Sequence, residues 1–220
     1  MSTPWRLAER RVPCCMDATG RDQESDVSTL EIRIFGDPVL RQRAHEVVDF
    51  DQRLSTLAED MLETMRAAEG LGLAANQVGV LKRLFTWEAD REDGEGGFER
   101  YGGAVVNPTL TDVSEELQDG DEGCLSFPGL FYPVERPLHV EIAWQDLGGE
   151  EHSRQLSSFE ARVWLHEMDH LDGVLFIDHL ARHDRKEAMK LMRQYRDEHG
   201  VEMPGQGKLA NLLLGGGTTT

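Results

Sequence analysis

Two histidines and a glutamate in the stretch WLHEMDHLDG, residues 164–173, have the types and spacing that metal chemistry requires. His166 and His170 are four apart, and residues with that spacing on a helix share one face, so both imidazoles can bind the same ion. Glu167 follows the first histidine, where its carboxylate can take a proton from a water molecule at the ion. The alternative is a chance match on a charged helix, because short patterns also arise by accident. The pattern alone leaves both interpretations equally open.

A catalytic metal site of this kind needs a third protein ligand and one open coordination position. Proteases with three histidines would place the third where this chain has Phe176. A site of the thermolysin type would need a glutamate on a following helix, and Glu187 lies in a strongly charged segment typical of a solvated surface. Cys124, in DEGCLSFPG, is the better candidate, since a thiolate and two imidazoles leave the fourth tetrahedral position free. Taken alone, however, Cys124 is better explained as a buried cysteine that packs as a small hydrophobic residue.

The composition restricts where this chemistry takes place. The 220 residues are 39% hydrophobic and 29% charged, which is typical of one soluble globular domain, and no apolar run is long enough to span a membrane. The first residues carry no apolar segment of the kind found in secretory signals, which favours the cytoplasm. The net charge of -18 argues against a general nucleic-acid surface and against DNA binding, so any RNA contact must be local.

The order of the predicted elements favours an α+β fold, with small antiparallel sheets around the helix that carries the histidines and a further helix near the C-terminus. An apolar stripe after Asp51 predicts a helix that this residue caps and that ends near Glu69. Further helices are predicted at residues 158–171 and 182–198, and a β-hairpin with a Gly-Gly turn at 139–159. Strands are predicted at residues 30–35, 81–87 and 103–108, and the acidic stretch 88–100 reads as an exposed loop.

The segment GLGLAANQVG contains glycines that invite a nucleotide-binding interpretation. Gly70, Gly72 and Ala75 fit the G-x-G-x-x-A fingerprint, but that fingerprint needs a strand before it and a helix after it. Here a helix comes first and a strand follows, so we reject this interpretation. We expect the glycines to let the backbone approach an extended ligand, while the Gln77 amide can donate a hydrogen bond to an oxygen atom.

Three segments in this order, GLGLAANQ, EGCLS and HEMDH, resemble the signature motifs of peptide deformylases, metalloenzymes that remove the N-formyl group from nascent bacterial polypeptides. The stretch GDPVLRQRA, residues 36–44, also resembles that family, so the resemblance covers about residues 30–197. It implies a catalytic domain at 30–200, between a flexible N-terminal extension at 1–29 and a flexible tail at 201–220. One departure is that many members carry an arginine shortly after EGCLS, where this chain has GLFYPVER with Arg136 alone.

The resemblance assigns roles to individual residues. It implies that Cys124, His166 and His170 bind the metal ion and that Glu167 acts as general base. The Gln77 side chain and the backbone N–H of Leu125 would stabilise the oxyanion of the reaction. Substrate would be bound along the backbone of Gly70, Leu71, Gly72 and Gly123. The implied metal is Fe(II), with nickel, cobalt or zinc as alternative occupants, because thiolate and imidazole ligands suit several of these ions.

Two other functions stay open on the sequence. A zinc endopeptidase of the HExxH type would cleave proteins and ignore the formyl group. A structural metal site in a binding protein would close the fourth position with a residue such as Cys14 or Cys15.

The predicted helix at residues 182–196 reverses the charge of the chain locally. The segment from Arg182 to His199 contains six basic and four acidic residues. The basic residues are Arg182, Arg185, Lys186, Lys190, Arg193 and Arg196. An ordinary solvated helix with internal ion pairs is one explanation. The resemblance suggests another, in which this helix touches ribosomal RNA and brings the enzyme to emerging formylated chains. In that case we expect Met189, Leu191 and Met192 to face the protein core.

Overall fold

A computed structural model describes residues 28–94 and 96–201. Within them, the α+β fold is as predicted, with a five-stranded antiparallel sheet, two two-stranded sheets and three α-helices. The helices are α1 Gln52–Ala67, α2 Ser158–Leu171 and α3 Arg182–His199. The strands are β1 Gly72–Ala74, β2 Leu84–Glu92, β3 Phe98–Val113, β4 Leu117–Gln118, β5 Asp121–Cys124, β6 Phe127–Pro133, β7 Arg136–Pro137, β8 His139–Gln145 and β9 Glu151–Ser157. The predicted extension at 1–29 and tail at 201–220 lie outside these residues, apart from positions 28, 29 and 201.

The helix α1 begins where the sequence predicts. The Asp51 side chain accepts a hydrogen bond from the backbone N–H of Leu54 at 3.1 Å, which satisfies a donor that the first turn leaves free. Its apolar stripe packs against β1 and β2, and the buried members are Leu54, Ala58, Met61 and Met65. Burial of this stripe fixes the start of the glycine-rich segment that follows the helix.

The large sheet, in the order β1-β2-β3-β8-β9, packs against α2. Trp164 of α2 anchors the contact, with its ring centroid 5.3 Å from those of Phe85 and Trp87 and 5.1 Å from that of Trp144. Aromatic rings bury large apolar areas and hold a helix in one orientation. This contact leaves the histidine face of α2 directed at the small β5–β6 sheet.

One predicted feature of the sheet is wrong, and one predicted strand is too short. Residues 88–100 are not an exposed loop, because β2 runs on to Glu92 and β3 starts at Phe98. Ion pairs between the two strands, Arg91 with Glu99 at 2.6 Å and Arg100 with Asp90 at 3.2 Å, offset the acidic charge that suggested a loop. The short strand predicted at 103–108 is therefore part of one 16-residue strand.

The strand predicted at residues 30–35 is also absent. The segment is extended, but it makes single hydrogen bonds to two different partners instead of a ladder. The N–H of Arg33 donates to Gln77 O at 2.6 Å, and the N–H of Phe35 donates to Ser126 O at 2.8 Å. These bonds join the glycine-rich segment to the β5–β6 turn.

The helix α3 packs on the short 3-10 helix Phe176–Asp178 and on loops, through a narrower apolar face than predicted. Ala188 and Met192 are buried and Met189 packs beside them, whereas Leu191 is 37% exposed. The expectation that Leu191 faces the core is wrong, because only positions 188, 189, 192 and 195 share the buried side. None of the helices described is long and apolar enough to cross a membrane.

Candidate active site

Cys124, at the end of β5, lies beside the two histidines of α2. Its Sγ atom is 3.2 Å from Nε2 of His170, and the ligand atoms of Cys124, His166 and His170 lie within 4.8 Å of one another. Metal bonds of about 2.1 Å to nitrogen and about 2.3 Å to sulfur place tetrahedral ligands roughly 3.5 Å apart, so small side-chain shifts suffice to enclose an ion. The donor set and its spacing therefore fit a divalent transition metal.

Glu122 holds His166 in place. Its Oε2 atom is 2.9 Å from Nδ1 of His166, and Arg136 donates to both carboxylate oxygens at 2.8 and 2.9 Å. Burial alone would raise the pKa of Glu122, but the hydrogen bonds from Arg136 and His166 lower it to about 2. An ionised carboxylate only accepts hydrogen bonds, so Nδ1 of His166 carries the proton and Nε2 is left free to bind a metal.

Sequence reasoning missed Glu122, although a signal was available. Glu122 and Cys124 are two apart on a strand, and side chains with that spacing point to the same side. Arg136 was noted only as the one arginine of GLFYPVER, in a departure from the pattern of the family. The structure instead buries it between Glu122 and Asp169, whose Oδ2 lies 2.6 Å from Arg136 Nη1.

The electrostatics of the two histidines differ. Burial alone would lower the pKa of His166, but hydrogen bonds to Cys124 and Glu122 raise that pKa well above its usual value. Burial, together with the charge of His166, lowers the pKa of His170 well below it. The two histidines thus differ in proton affinity because Glu122 and Cys124 lie beside His166, whereas His170 is buried next to the charge of His166.

Glu167 lies in the wall of the adjoining cavity and is 4% exposed. Its Oε2 atom has no hydrogen-bond partner among the residues described, which is unusual for a buried acceptor. A Cβ atom at Gly72 would lie 2.3 Å from Glu167 Oε1, so glycine is required there to make room for the carboxylate. Burial raises the pKa of Glu167 to about 7, which suits a group that exchanges protons near neutral pH.

Gln77 is held in one orientation beside the cysteine. The N–H of Ala74 donates to its Oε1 atom at 2.8 Å, and its Nε2 atom lies 3.2 Å from Ser126 Oγ and 3.5 Å from Cys124 Sγ. The carboxamide N–H groups are therefore directed at the Ser126 hydroxyl and at Cys124, one of the candidate metal ligands. Ser126, which orients this amide, was not singled out from the sequence.

One cavity of about 730 Å³ joins these groups. Every site residue predicted from the sequence except His170 lines it, namely Gly70, Leu71, Gly72, Gln77, Gly123, Cys124, Leu125, His166 and Glu167. Two of the glycines make way for side chains: a Cβ at Gly70 would lie 2.8 Å from Leu125 Cδ1, and one at Gly123 would lie 2.3 Å from the Phe131 ring. The volume of the cavity is typical of a site for a small molecule or a short peptide.

A family model described as polypeptide deformylase matches residues 29–186 of this chain. The chain belongs to this deformylase family. Among its relatives, the chain is 48% identical over 163 residues to peptide deformylase 1 of Corynebacterium efficiens, a match that covers 74% of this chain and 94% of that protein. It is also 48% identical over 163 residues to the peptide deformylase of Acidothermus cellulolyticus, across 74% of this chain and 85% of the relative.

Solved deformylase structures have the same fold. The crystal structure of the Ehrlichia chaffeensis peptide deformylase matches with a TM-score of 0.71 and 36% identity, and covers 79% of this chain and all of that one (100%). The Thermotoga maritima peptide deformylase matches with a TM-score of 0.62 and 42% identity, across 70% of this chain and 98% of that one. Membership of the deformylase family agrees with a metal-dependent hydrolase and does not favour the zinc endopeptidase alternative. The second alternative needs Cys14 or Cys15, which lie outside the residues described.

Proposed function

We propose that Cys124, His166 and His170 bind the metal ion with which this peptide deformylase removes the formyl group from the N-terminal methionine of newly synthesised proteins. The observation that carries the proposal is the meeting of three ligand atoms within 4.8 Å of one another at a cavity that Glu167 also lines. Three protein ligands would leave one coordination position for water, as in catalytic sites of this type. A bound divalent ion supplies the Lewis acidity that lowers the pKa of that water to about 7.

Glu167 moves the protons of the reaction. Its unpartnered Oε2 atom accepts a proton as water attacks the formyl carbon. The same carboxyl group then gives this proton to the methionine nitrogen as the bond between the formyl carbon and nitrogen breaks. The products are formate and a chain with a free N-terminal amine.

Gln77 and Leu125 stabilise the negative oxygen that forms during the attack. The Gln77 amide is held by Ala74 and Ser126, and its other N–H, which lies near Cys124 Sγ, turns to donate to this oxygen. The backbone N–H of Leu125 is the second donor, from the turn between β5 and β6. Loss of one such donor typically costs about 2.7–4 kcal/mol in the transition state.

Fe(II) is the working metal that we propose, with nickel, cobalt and zinc as alternative occupants. A thiolate with two imidazoles suits all of these ions, so the choice rests on family resemblance and not on ligand type. Newly synthesised formylated chains are made in the cytoplasm, and we place the enzyme there. The exposed basic residues of α3 bring it to the ribosome.

The test of the activity is formate release from formyl-Met-Ala-Ser and from acetyl-Met-Ala-Ser. We expect rapid formate release from the first peptide and no deacetylation of the second, because the proposed substrate is the formyl group. Cleavage of casein, with no difference in activity between the formyl and the acetyl peptide, would instead support an endopeptidase. A metal-loaded protein without activity on either peptide would favour the structural metal site.

A further inference from the structure

Arg162 lies one turn before His166 on α2, on the same face of the helix, and is buried. Its Nη1 atom lies 2.7 Å from the carbonyl oxygen of Val134 and 3.0 Å from that of Gly120, and its Nη2 atom donates to the Gln118 carbonyl at 3.1 Å. Gly120 and Val134 stand at the two ends of the β5–β6 hairpin, and Val134 N–H donates to Gly120 O at 3.0 Å. One guanidinium thus closes the base of the hairpin that carries the cysteine ligand.

The same guanidinium touches the carboxylate behind His166. Its Nη1 atom is also 3.1 Å from Oε1 of Glu122, while Oε2 of Glu122 is 2.9 Å from Nδ1 of His166. Arg162 therefore contacts both the hairpin base and the group that orients a histidine ligand, and it does so from the helix that supplies both histidines.

Gly120 provides the room that this arrangement needs. A Cβ atom at position 120 would lie 3.1 Å from both Cζ and Nη2 of Arg162, which is tighter than ordinary van der Waals contact. Arginine is the residue suited to such a task, since its planar fork offers five N–H donors in fixed directions. Lysine keeps the charge but has donors at a single point, so it cannot reach three carbonyl groups and a carboxylate together.

We propose that Arg162 is a positioning residue that sets the distance between Cys124 on the hairpin and the histidines on α2, and so determines how tightly and with what geometry the site binds its metal. The inference rests on the proposed ligands Cys124, His166 and His170. Groups that hold metal ligands in place typically change metal affinity by about 10–100-fold when they are removed. Arg162 also lines the cavity, but among the described residues its hydrogen bonds go to Gln118, Gly120, Glu122 and Val134 and not to the three proposed ligands.

The experiment is a Co²⁺ titration of the metal-stripped protein, read by the thiolate-to-cobalt charge-transfer absorption and by the cobalt d–d bands. The variants are Arg162→Met, Arg162→Lys and Gly120→Ala, the last of which keeps the arginine but displaces it. Gly148→Ala is the matched control, because its Cβ would make a similarly tight contact, 3.3 Å from Asp146 Oδ1, in the turn between β8 and β9. Each protein is titrated well below its melting temperature, so that a loss of stability alone does not change the result.

We expect Arg162→Met to weaken Co²⁺ binding about 10–100-fold and to reduce the thiolate band. Arg162→Lys should lie between this variant and the natural chain, and Gly120→Ala should change affinity and spectrum in the same direction by a smaller factor. Gly148→Ala should match the natural chain. Natural affinity and spectra in Arg162→Lys and Gly120→Ala would overturn the inference even if Arg162→Met failed to fold. Absence of a thiolate band in the natural chain would instead overturn the proposed metal ligands, and this inference with them.

Discussion

Oε2 of Glu122 lies 2.9 Å from Nδ1 of His166, and this one contact joins the strand of the cysteine ligand to the helix of the histidine ligands. It decides which nitrogen of His166 faces the cavity, because the carboxylate holds the proton on Nδ1. Arg136 and Arg162 keep that carboxylate ionised in a buried position. Metal binding should therefore depend on a residue that is not itself a ligand.

Replacement of Glu122 by glutamine should weaken metal binding by about 10–100-fold, because the neutral amide no longer fixes the His166 tautomer. The two arginines would also lose their buried counter-charge, which typically costs about 3–5 kcal/mol of unfolding free energy. Co²⁺ titration and urea denaturation measure the two effects. Glu135→Gln removes an exposed carboxylate and serves as control. Unchanged Co²⁺ affinity in Glu122→Gln would show that His166 needs no such partner.

Glu167→Ala should retain the metal and lose activity, because we assign the glutamate to proton transfer and not to metal binding. We expect metal content near that of the natural chain and turnover of formyl-Met-Ala-Ser lower by at least about 100-fold. Metal analysis and formate assays on the same preparation check both parts. Substantial turnover by this variant would refute the proposed role.

Gly72→Ala offers a second approach to the same carboxylate. The added Cβ would lie 2.3 Å from Glu167 Oε1, so the side chain must move out of its place in the cavity. Turnover should fall while metal content stays, as in Glu167→Ala. An active Gly72→Ala enzyme would mean that the position of the carboxylate is not critical.

Asp178 should make the fold sensitive to acid. Burial alone would raise its pKa, but hydrogen bonds from Arg41 and from the Leu175 N–H, together with the charges of Arg41 and Arg185, hold the pKa below its usual value. Because the folded-state pKa is the lower one, the ionised form stabilises the fold. This contribution is complete above the unfolded pKa of about 3.9 and is lost as the pH falls through the folded-state value.

Asp178→Asn should therefore lower the free energy of unfolding by roughly 1–3 kcal/mol at pH 7. The difference from the natural chain should shrink as the pH falls below about 4. Urea denaturation at pH 7, 5 and 3 measures it, and Asp119→Asn, an exposed carboxylate, should have little effect at any pH. A difference that stays constant down to pH 3 would contradict the assignment.

The iron-loaded enzyme should lose activity in air by two routes. Fe(II) can be oxidised, and the Cys124 thiolate can be oxidised along the series from sulfenic to sulfonic acid. The nickel-loaded enzyme lacks the first route and should decay more slowly. Half-lives of both forms in air, with anaerobic samples as controls, provide the measurement. Equal decay of the two forms in air would reject iron oxidation as a cause.

Ribosome binding through α3 should be salt-dependent. Lys186, Lys190 and Arg193 are exposed and form no ion pair in the structure described, whereas Arg185 pairs with Asp178 at 2.7 Å and is better left unchanged. Reversal of the three exposed charges to glutamate should abolish co-sedimentation with ribosomes and leave turnover of a short formyl peptide intact. Binding by the natural chain should fall steeply between about 50 and 200 mM salt, as phosphate contacts do.

The control for this experiment reverses Arg53 of α1, an exposed basic residue that forms no ion pair among the described residues. It should bind ribosomes as the natural chain does, apart from the small effect of net charge. If the α3 variant bound ribosomes as well as the natural chain does, the basic residues of α3 would be an ordinary solvated helix face.

The sequence by itself determined the elements whose causes are local. The stripe after Asp51 and its cap predicted α1, and the Gly-Gly turn predicted the hairpin of β8 and β9. The same is true of the candidate ligands, because four-residue spacing on one helix face already places His166 beside His170. These features need only neighbours in the chain, so pattern and propensity suffice to find them.

Only the tertiary structure decided what lies around those ligands. Glu122 meets Arg136 across 14 positions and His166 across 44, and no local pattern links residues so far apart. The glycines and the density of charge at 88–100 predict a loop, but strand pairing brings Arg91 to Glu99 and Arg100 to Asp90. In each case the free energy of a charged side chain depends on the partner that folding places beside it. The local sequence does not contain that partner, so it cannot predict which charges are buried or paired.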